Sequence, residues 1–226
     1  DNWFATADGN KIDTVIDSTG AEYSILSDGT IYMDMNGNET LNVTKNNLTV
    51  NGSDEDDTIN LNSGNNIVYG GNGNDVINVN GSNNRLLMTK GRNTVNVNRG
   101  NNTIHGGDGV DTIEVNADGN NIYGEGGNDI VNLNSTSGNT LNFSVGDGVD
   151  TVDCDNVDNI LNFSNVKFED MTICVDPDNS ANLKISYSDD DSVVLKDWFN
   201  KNVDERIDTI VDSEGESYSI VADAPN

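Results

Sequence analysis

A strict nine-residue period governs this chain. Large apolar residues fall at Leu41, Val50, Ile59, Val68, Ile77, Leu86, Val95, Ile104, Ile113, Ile122 and Val131, with every gap nine residues. The series then loosens to Leu141, Val152 and Leu161. Thr40, Thr49, Thr58, Thr94, Thr103 and Thr112 each stand directly before the apolar residue, and Gly- and Asn-rich stretches separate the units. Thr and aliphatic side chains favour strands, whereas Gly and Asn favour turns. Each unit is therefore a short strand followed by a tight turn. A fixed short period marks a solenoid, whose units bury their apolar faces against their neighbours. The period also settles a conflict with composition, because a chain only 34% hydrophobic would otherwise read as disordered.

Two residues after each apolar anchor the pattern alternates. Leu61, Val79, Val97, Val115 and Leu133 form one set, and Gly52, Gly70, Met88, Gly106 and Gly124 the other, each spaced by 18. Every second unit is thus equivalent, so a full turn of the coil takes 18 residues. Each turn gives one strand to each of two stacked parallel sheets, with the anchors pointing inward. The expected fold is all-β: a parallel β-roll solenoid.

The two edges of such a roll differ in chemistry. One carries Gly52-Ser-Asp-Glu-Asp-Asp57, Gly70-Gly-Asn-Gly-Asn-Asp75, Gly106-Gly-Asp-Gly-Val-Asp111, Gly124-Glu-Gly-Gly-Asn-Asp129 and Val145-Gly-Asp-Gly-Val-Asp150. Glycines let the backbone take positive φ and turn carbonyls toward one point, and each closing Asp adds an anionic oxygen. Carbonyl and carboxylate oxygens without His or thiolate suit Ca²⁺. Asp57 and Asp75 are 18 apart, as are Asp111 and Asp129, so each pair stacks in adjacent turns and needs a cation between its members. Polar hairpin turns without metal are the alternative reading. The opposite edge is rich in Asn instead, with Asn66, Asn84, Asn102 and Asn120 in one 18-residue series and Asn62, Asn80, Asn98, Asn116 and Asn134 in another. Stacked amides can bond along the coil axis without charge repulsion, so this edge reads as structural and metal-free.

The Gly/Asp loops resemble the GGxGxDxUx nonapeptides of the RTX, or haemolysin-type calcium-binding repeat, family. GGNGNDVIN at 70–78 and GGDGVDTIE at 106–114 carry the resemblance most closely, and it extends over roughly residues 41–155. It implies several calcium ions held between same-edge loops of adjacent turns. The implied ligands are carbonyls of Gly70, Gly73, Gly106, Gly109, Gly124 and Gly126, with carboxylates of Asp57, Asp75, Asp111, Asp129 and Asp150. Gly71, Gly107, Gly146 and Gly148 complete the loops. It further implies type I secretion of an unfolded chain that folds on meeting extracellular calcium, and hence an extracellular or bacterial cell-surface location. Three loops depart from the pattern. The loop at 52–57 lacks the inner glycines, and the last follows a spacing of 21 between Asp129 and Asp150. The middle loop reads Met88-Thr-Lys-Gly-Arg-Asn93, which loses the closing Asp and gains Lys90 and Arg92. These cations are expected either to replace calcium between Asp75 and Asp111 or to point into solvent.

Other residues bear on function. Tyr69, Leu87, His105 and Tyr123 form an 18-spaced outward stripe, in which Tyr69, His105 and Tyr123 are candidates for binding a glycan or a partner protein. A packing face for another domain is the plainer reading. His105 is the only histidine and has no nucleophile at a matched position, so no catalysis is expected. With 11 basic against 39 acidic residues the net charge is −28, which repels nucleic acid and anionic membranes. No apolar run is long enough to cross a bilayer as a helix.

A second, longer repeat relates residues 3–25 to 198–220. KIDTVIDSTGAEYSI recurs as RIDTIVDSEGESYSI, and Trp3, Ile12 and Tyr23 map onto Trp198, Ile207 and Tyr218 at an offset of 195 without a gap. Residues 1–25 are accordingly the tail of a preceding tandem unit, 26–155 the β-roll and 156–226 a β-rich capping domain. The cap is expected to be antiparallel from its alternating strands, and its order is similar to the haemolysin-type calcium-binding related domain. Trp198 and Phe199 are its expected packing anchors, and Cys154 and Cys174 are either a disulfide or two buried thiols. The reading as a whole is a non-enzymatic, calcium-stabilised module of a large exported adhesin, surface-layer or matrix protein, with neighbouring tandem units as partners. The alternatives are the calcium-binding segment of an RTX toxin or secreted hydrolase, or a glycan-binding module.

Overall fold

The computed structural model describes residues 14–16, 22–24, 29–32, 37–134, 137–155 and 158–220. The first described element is an antiparallel hairpin of β1 (Thr14–Ile16) and β2 (Glu22–Ser24), and the chain then winds as a parallel roll of about seven turns. One wall holds β3 (Thr30–Tyr32), β5 (Thr49–Asn51), β7 (Ile67–Gly71), β9 (Arg85–Met88), β11 (Thr103–His105), β13 (Asn121–Tyr123), β15 (Thr140–Phe143) and β17 (Ile160–Phe163). The other holds β4 (Thr40–Val43), β6 (Thr58–Leu61), β8 (Val76–Val79), β10 (Thr94–Val97), β12 (Thr112–Val115), β14 (Ile130–Leu133) and β16 (Val149–Cys154). In the regular part neighbouring strands pair 18 residues apart, as in Ile77↔Val95↔Ile113. The two-wall parallel roll is thus the fold that the period dictates.

Strand alternation sets what is buried. The anchors Ile59, Val68, Ile77, Leu86, Val95, Ile104 and Ile113 are fully enclosed, as are Leu61, Val79, Val97 and Val115 two residues beyond every second anchor. Their outward neighbours are bound by a second device. Amide ladders run along the axis, with the Nδ2 of Asn60, Asn78 and Asn96 donating to the Oδ1 of Asn42, Asn60 and Asn78 at 2.8–2.9 Å. Asn80, Asn98, Asn116 and Asn134 stack the same way on the Asn edge at 2.9–3.0 Å.

The C-terminal antiparallel region grows out of the same two sheets. β20 (Ser192–Leu195) pairs in parallel with β16 and then carries β19 (Leu183–Ser186) and β18 (Thr172–Val175) antiparallel beyond it. β21 (Thr209–Val211) pairs in parallel with β17 and carries β22 (Ser217–Ser219) antiparallel. Phe143, Phe163 and Tyr187 fill the end of the core, with the Tyr187 ring edge-on to Phe163 at 5.2 Å. Trp198 is enclosed, donates its Nε1–H to the Ile207 carbonyl at 2.8 Å and lies under Arg206, whereas Phe199 is only half-buried. Cys154 is buried and Cys174 exposed, with no disulfide between them, so neither expectation for the pair holds. The N-terminal copy of the long repeat lies outside the described residues except for β1 and β2.

Candidate metal centre

One residue in each nine-residue unit latches the roll. It stands two positions before the anchor and is Asp57, Asn66, Asp75, Asn84, Asn93, Asn102, Asp111, Asn120 and Asp129 in turn, followed by Asn139, Asp150 and Asn159. Each of these side chains is buried, and from Asp57 onward its Oδ1 accepts the backbone N–H of the matching residue one turn earlier. On one edge Asp57 donates to Asp75, Asp75 to Asn93, Asn93 to Asp111, Asp111 to Asp129 and Asp129 to Asp150, at 2.7–3.0 Å. On the other, Asn66 donates to Asn84, Asn84 to Asn102 and Asn102 to Asn120, at 2.8–2.9 Å. The sequence points to amide-on-amide stacking for this second series, but its principal bond runs from side chain to backbone.

The remaining atom of each latch decides the chemistry. In Asn it is an NH₂ group, which donates to a loop carbonyl from Asn66 (to Ser63), Asn102 (to Arg99) and Asn120 (to Ala117) at 2.7–3.2 Å, whereas in Asn84 it is buried without a hydrogen-bond partner. In Asp it is a second acceptor, which a carbonyl cannot satisfy. The Oδ2 atoms of Asp75, Asp111 and Asp129 are buried without any hydrogen-bond partner. An orphaned carboxylate oxygen is costly, so it calls for a proton or a cation. Burial pushes the Asp75 and Asp111 carboxyls up to about 7 and Asp129 to about 6, with neighbouring carboxylates adding to the rise. Asp150 rises to about 8 for the same reasons.

The loops leave room beside these oxygens. Gly70 lies where a Cβ would come within 3.0 Å of Asp75 Oδ2, and a Cβ at Gly106 or Gly124 would strike the Oδ2 of Asp111 or Asp129. A glycine column runs through the same edge as Gly73, Gly91, Gly109, Gly127 and Gly148, with φ from +97° to +150°. A Cβ on Gly91, Gly109, Gly127 or Gly148 would overlap the carbonyl oxygen of the preceding member. Gly127, rather than Gly126, belongs to this column. Gly126 occupies the place of Asp108, and its carbonyl accepts the Gly109 N–H at 2.6 Å. Reading the loop as a motif picks Gly126, whereas counting 18 from Gly109 finds Gly127. The motif also passes over Glu125. It takes φ +66° where Gly71 and Gly107 take +94° and +87°, and its charge raises both Asp111 and Asp129.

The three departing loops resolve in different ways. In the first, Asp57 Oδ2 accepts both the N–H and the Oγ–H of Ser53, at 3.0 and 2.9 Å, so this carboxylate is satisfied within its own loop. In the last, the longer spacing leaves the latch intact, with Asp150 accepting from Asp129 at 2.9 Å. Asp191 from the cap closes that loop by accepting the N–H groups of Gly146 and Gly148 at 3.0 and 2.8 Å. In the middle loop Lys90 and Arg92 are exposed, and among the described residues neither forms an ion pair. They do not stand between Asp75 and Asp111; Asn93 does. Its Nδ2 donates to the Gly106 carbonyl at 3.1 Å, and Met88 turns inward where the other turns have glycine. A neutral donor thus sits where the flanking turns leave an orphaned oxygen.

Tyr69, Leu87, His105 and Tyr123 are in register on adjacent strands, and His105 stacks on Tyr123 at 4.4 Å and 5°. His105 Nδ1 lies 2.7 Å from Glu125 Oε1, which ties the stripe to the Gly124–Asp129 loop. Leu87 separates Tyr69 from the stacked pair. Among the described residues no three His, Cys, Asp or Glu side chains converge on one point. The donors this edge offers a cation are carboxylate and backbone carbonyl oxygens, a set that fits calcium and not a softer metal.

Comparison with known families agrees with this chemistry. The RTX calcium-binding nonapeptide repeat matches in four copies, over residues 49–86, 89–120 and 105–135. No curated protein matches the chain. Among the described residues no helix is long and apolar enough to cross a membrane.

Proposed function

We propose that this chain, whose residues 49–86 and 89–135 match the RTX calcium-binding nonapeptide repeat, is a non-catalytic structural module of a large exported protein of adhesin, surface-layer or matrix type. The observation that supports it most is the set of orphaned oxygens on Asp75, Asp111 and Asp129. Calcium binds between same-edge loops of adjacent turns. The residues that would hold it are the carboxylates of Asp75, Asp111, Asp129 and Asp150, with carbonyls from the loops that Gly70, Gly73, Gly106, Gly109, Gly124 and Gly127 keep open. Asp57 contributes more weakly, because Ser53 already occupies its second oxygen.

Calcium supplies the positive charge that lets these carboxylates stay both buried and ionised. The chain's own part is to hold each carboxylate by its Oδ1 and to exclude side chains from the space beside Oδ2. Without the ion, carboxylate repulsion opposes a fold with little apolar surface to bury, so the repeats stay unfolded where calcium is scarce. Outside a cell, millimolar calcium fills sites of about 10⁻⁴ to 10⁻³ M and drives folding, because only the folded chain presents them. Type I export of an unfolded chain accords with this behaviour. Circular dichroism with calcium and with EDTA tests the reading at neutral pH: strand signal should appear with calcium and collapse with EDTA. Equal strand content in both overturns it.

A second reading has one observation in its favour, the His105–Tyr123 stack beside the exposed Tyr69. Such a ladder suits the apolar face of a sugar ring. Binding on a glycan array that Tyr123→Ala abolishes would support it, and a blank array removes it.

A further inference from the structure

The long repeat is not used by the calcium sites, yet its two copies fold alike wherever both are described. In the first hairpin Thr14 pairs with Ser24, Val15 with Tyr23 and Ile16 with Glu22. In the second, Thr209 pairs with Ser219, Ile210 with Tyr218 and Val211 with Ser217. Every partner is displaced by the same 195 residues, so sequence and register repeat together. The turn residues repeat as well. Asp212 Oδ1 accepts the N–H groups of Glu214 and Glu216 at 3.0 Å each, and Gly215 takes φ +79°. Asp17 and Gly20 hold the same positions in the first copy.

The two hairpins stand at opposite ends of the roll. At the C-terminal end β21 extends one wall beyond β17, and β22 is the outermost strand of that wall. At the N-terminal end the hairpin is a two-stranded sheet of its own, with β2 beside β3 and β1 beside β4. β3 is the first strand of the wall that β22 ends. The hairpin is thus seen from both sides: its β21 strand closing a roll, and the strand equivalent to β22 facing the start of one.

We infer that this hairpin is a shared joint between consecutive units, and that β22, the outermost described strand of its wall, receives β3 of a second copy of this roll. The inference rests on the tandem-array reading and adds the geometry of the contact. An outermost strand offers unpaired N–H and C=O groups to whatever lies next to it. The occupant is set by the repeat itself, since the same hairpin already lies against β3 and β4 of this chain. Only four residues separate Ser24 from Gly29, a reach of at most about 18 Å, so the chain has no length for a flexible linker there. Successive rolls then stack as one continuous rod, with the hairpin in the place of a turn.

A two-copy chain tests this, running from residue 1 to 220 and continuing directly into residue 26, because Ile220 stands where Ile25 does. A sheet of ten strands at about 4.8 Å per step is about 45 Å long, and twenty strands in one stack are about 90 Å. Small-angle scattering in calcium should therefore show a rod about twice the length of the single chain. Eight Gly/Ser residues inserted after Ile220 should shorten the mean end-to-end distance and broaden its distribution. Circular dichroism on the same samples separates the two ideas. Two folded copies that scatter the same way with and without the insert overturn the joint alone. Copies that do not fold in calcium overturn the calcium-module reading, and the joint with it.

Discussion

Replacing Asp111 by Asn should reverse its effect on stability between calcium-free and calcium-loaded protein. In the calcium-free fold burial pushes the Asp111 carboxyl up to about 7 from the ordinary 3.8. A carboxyl whose folded value is raised holds its proton longer in the folded state, so its contribution to stability is complete below about pH 4 and is lost as pH rises through about 7. The difference of about 3 pH units corresponds to about 4 kcal/mol at pH 8, at about 1.36 kcal/mol per unit. The amide introduced by Asp111→Asn would keep the Oδ1 latch to the Asn93 N–H and offer an NH₂ group to the next loop, as Asn93 does toward Gly106. Urea titrations in EDTA should then find Asp111→Asn more stable than the parent by up to about 4 kcal/mol at pH 8 and by almost nothing near pH 4. Where the parent is already unfolded, trimethylamine oxide brings the transition into range. In millimolar calcium the order should invert, because the variant has lost an anionic ligand. A gain in EDTA that is the same at both pH values would refute the argument. So would a variant that is the more stable one in calcium.

The middle turn supplies the converse experiment: Met88→Gly with Asn93→Asp should recreate a Gly/Asp loop and raise the calcium bound per chain, counted by isothermal titration. Gly127→Ala should cost more than about 3 kcal/mol or prevent folding, since its Cβ would overlap the Gly109 carbonyl at φ +150°, whereas Gly126→Ala should cost less than about 1 kcal/mol. Equal thermal shifts for the two glycine variants would contradict the column. Asn102→Ala removes the buried acceptor of the Asn84 N–H and should lower stability by about 1–3 kcal/mol in calcium and in its absence alike, measured by thermal melting at pH 5.

Much of the architecture is legible in the sequence because backbone geometry imposes its period on it directly. A parallel roll can only place Ile77, Val95 and Ile113 in one column if they recur at a fixed interval, so the anchors expose the fold. The Gly/Asp loops are legible as calcium-type chemistry for a similar reason, since donor types survive without coordinates. What is not legible lies in bonds between turns. The Oδ1 latch joins Asp75 to Asp57 across 18 residues, and nothing in either residue's neighbourhood marks it. For that reason the Asp and Asn series read as two different edges with different purposes, when they are one device with one atom changed. Lys90 and Arg92 mislead because matching charge to charge ignores which way a column points. The columns they occupy, with Asp54 and Asp108 or Asp56, Asn74 and Asn128, point outward in the other turns too. The acidity of the chain reflects the same distinction. Residues 50–155 carry 15 acidic and 4 basic side chains, a net of −11, so most of the −28 lies elsewhere and keeps its charge when calcium binds.

The latch has a consequence for how the roll comes apart. Each Oδ1 bond couples one turn to its immediate neighbour, so the solenoid behaves as a linear lattice of nearest-neighbour couplings. Calcium acts on that lattice as a local field, felt only at rungs that end in a carboxylate. The Asn93 rung passes the coupling along and is blind to the field. On the proposed sites, a melting front released by withdrawing calcium from Asp111 and Asp129 would meet an ion-independent rung of the carboxylate edge at Asn93 before it reaches Asp75, while the Asn edge couples the turns without calcium. On those sites, the exchange of one oxygen for one NH₂ group at residue 93 should divide the carboxylate edge into two groups, each with its own calcium midpoint.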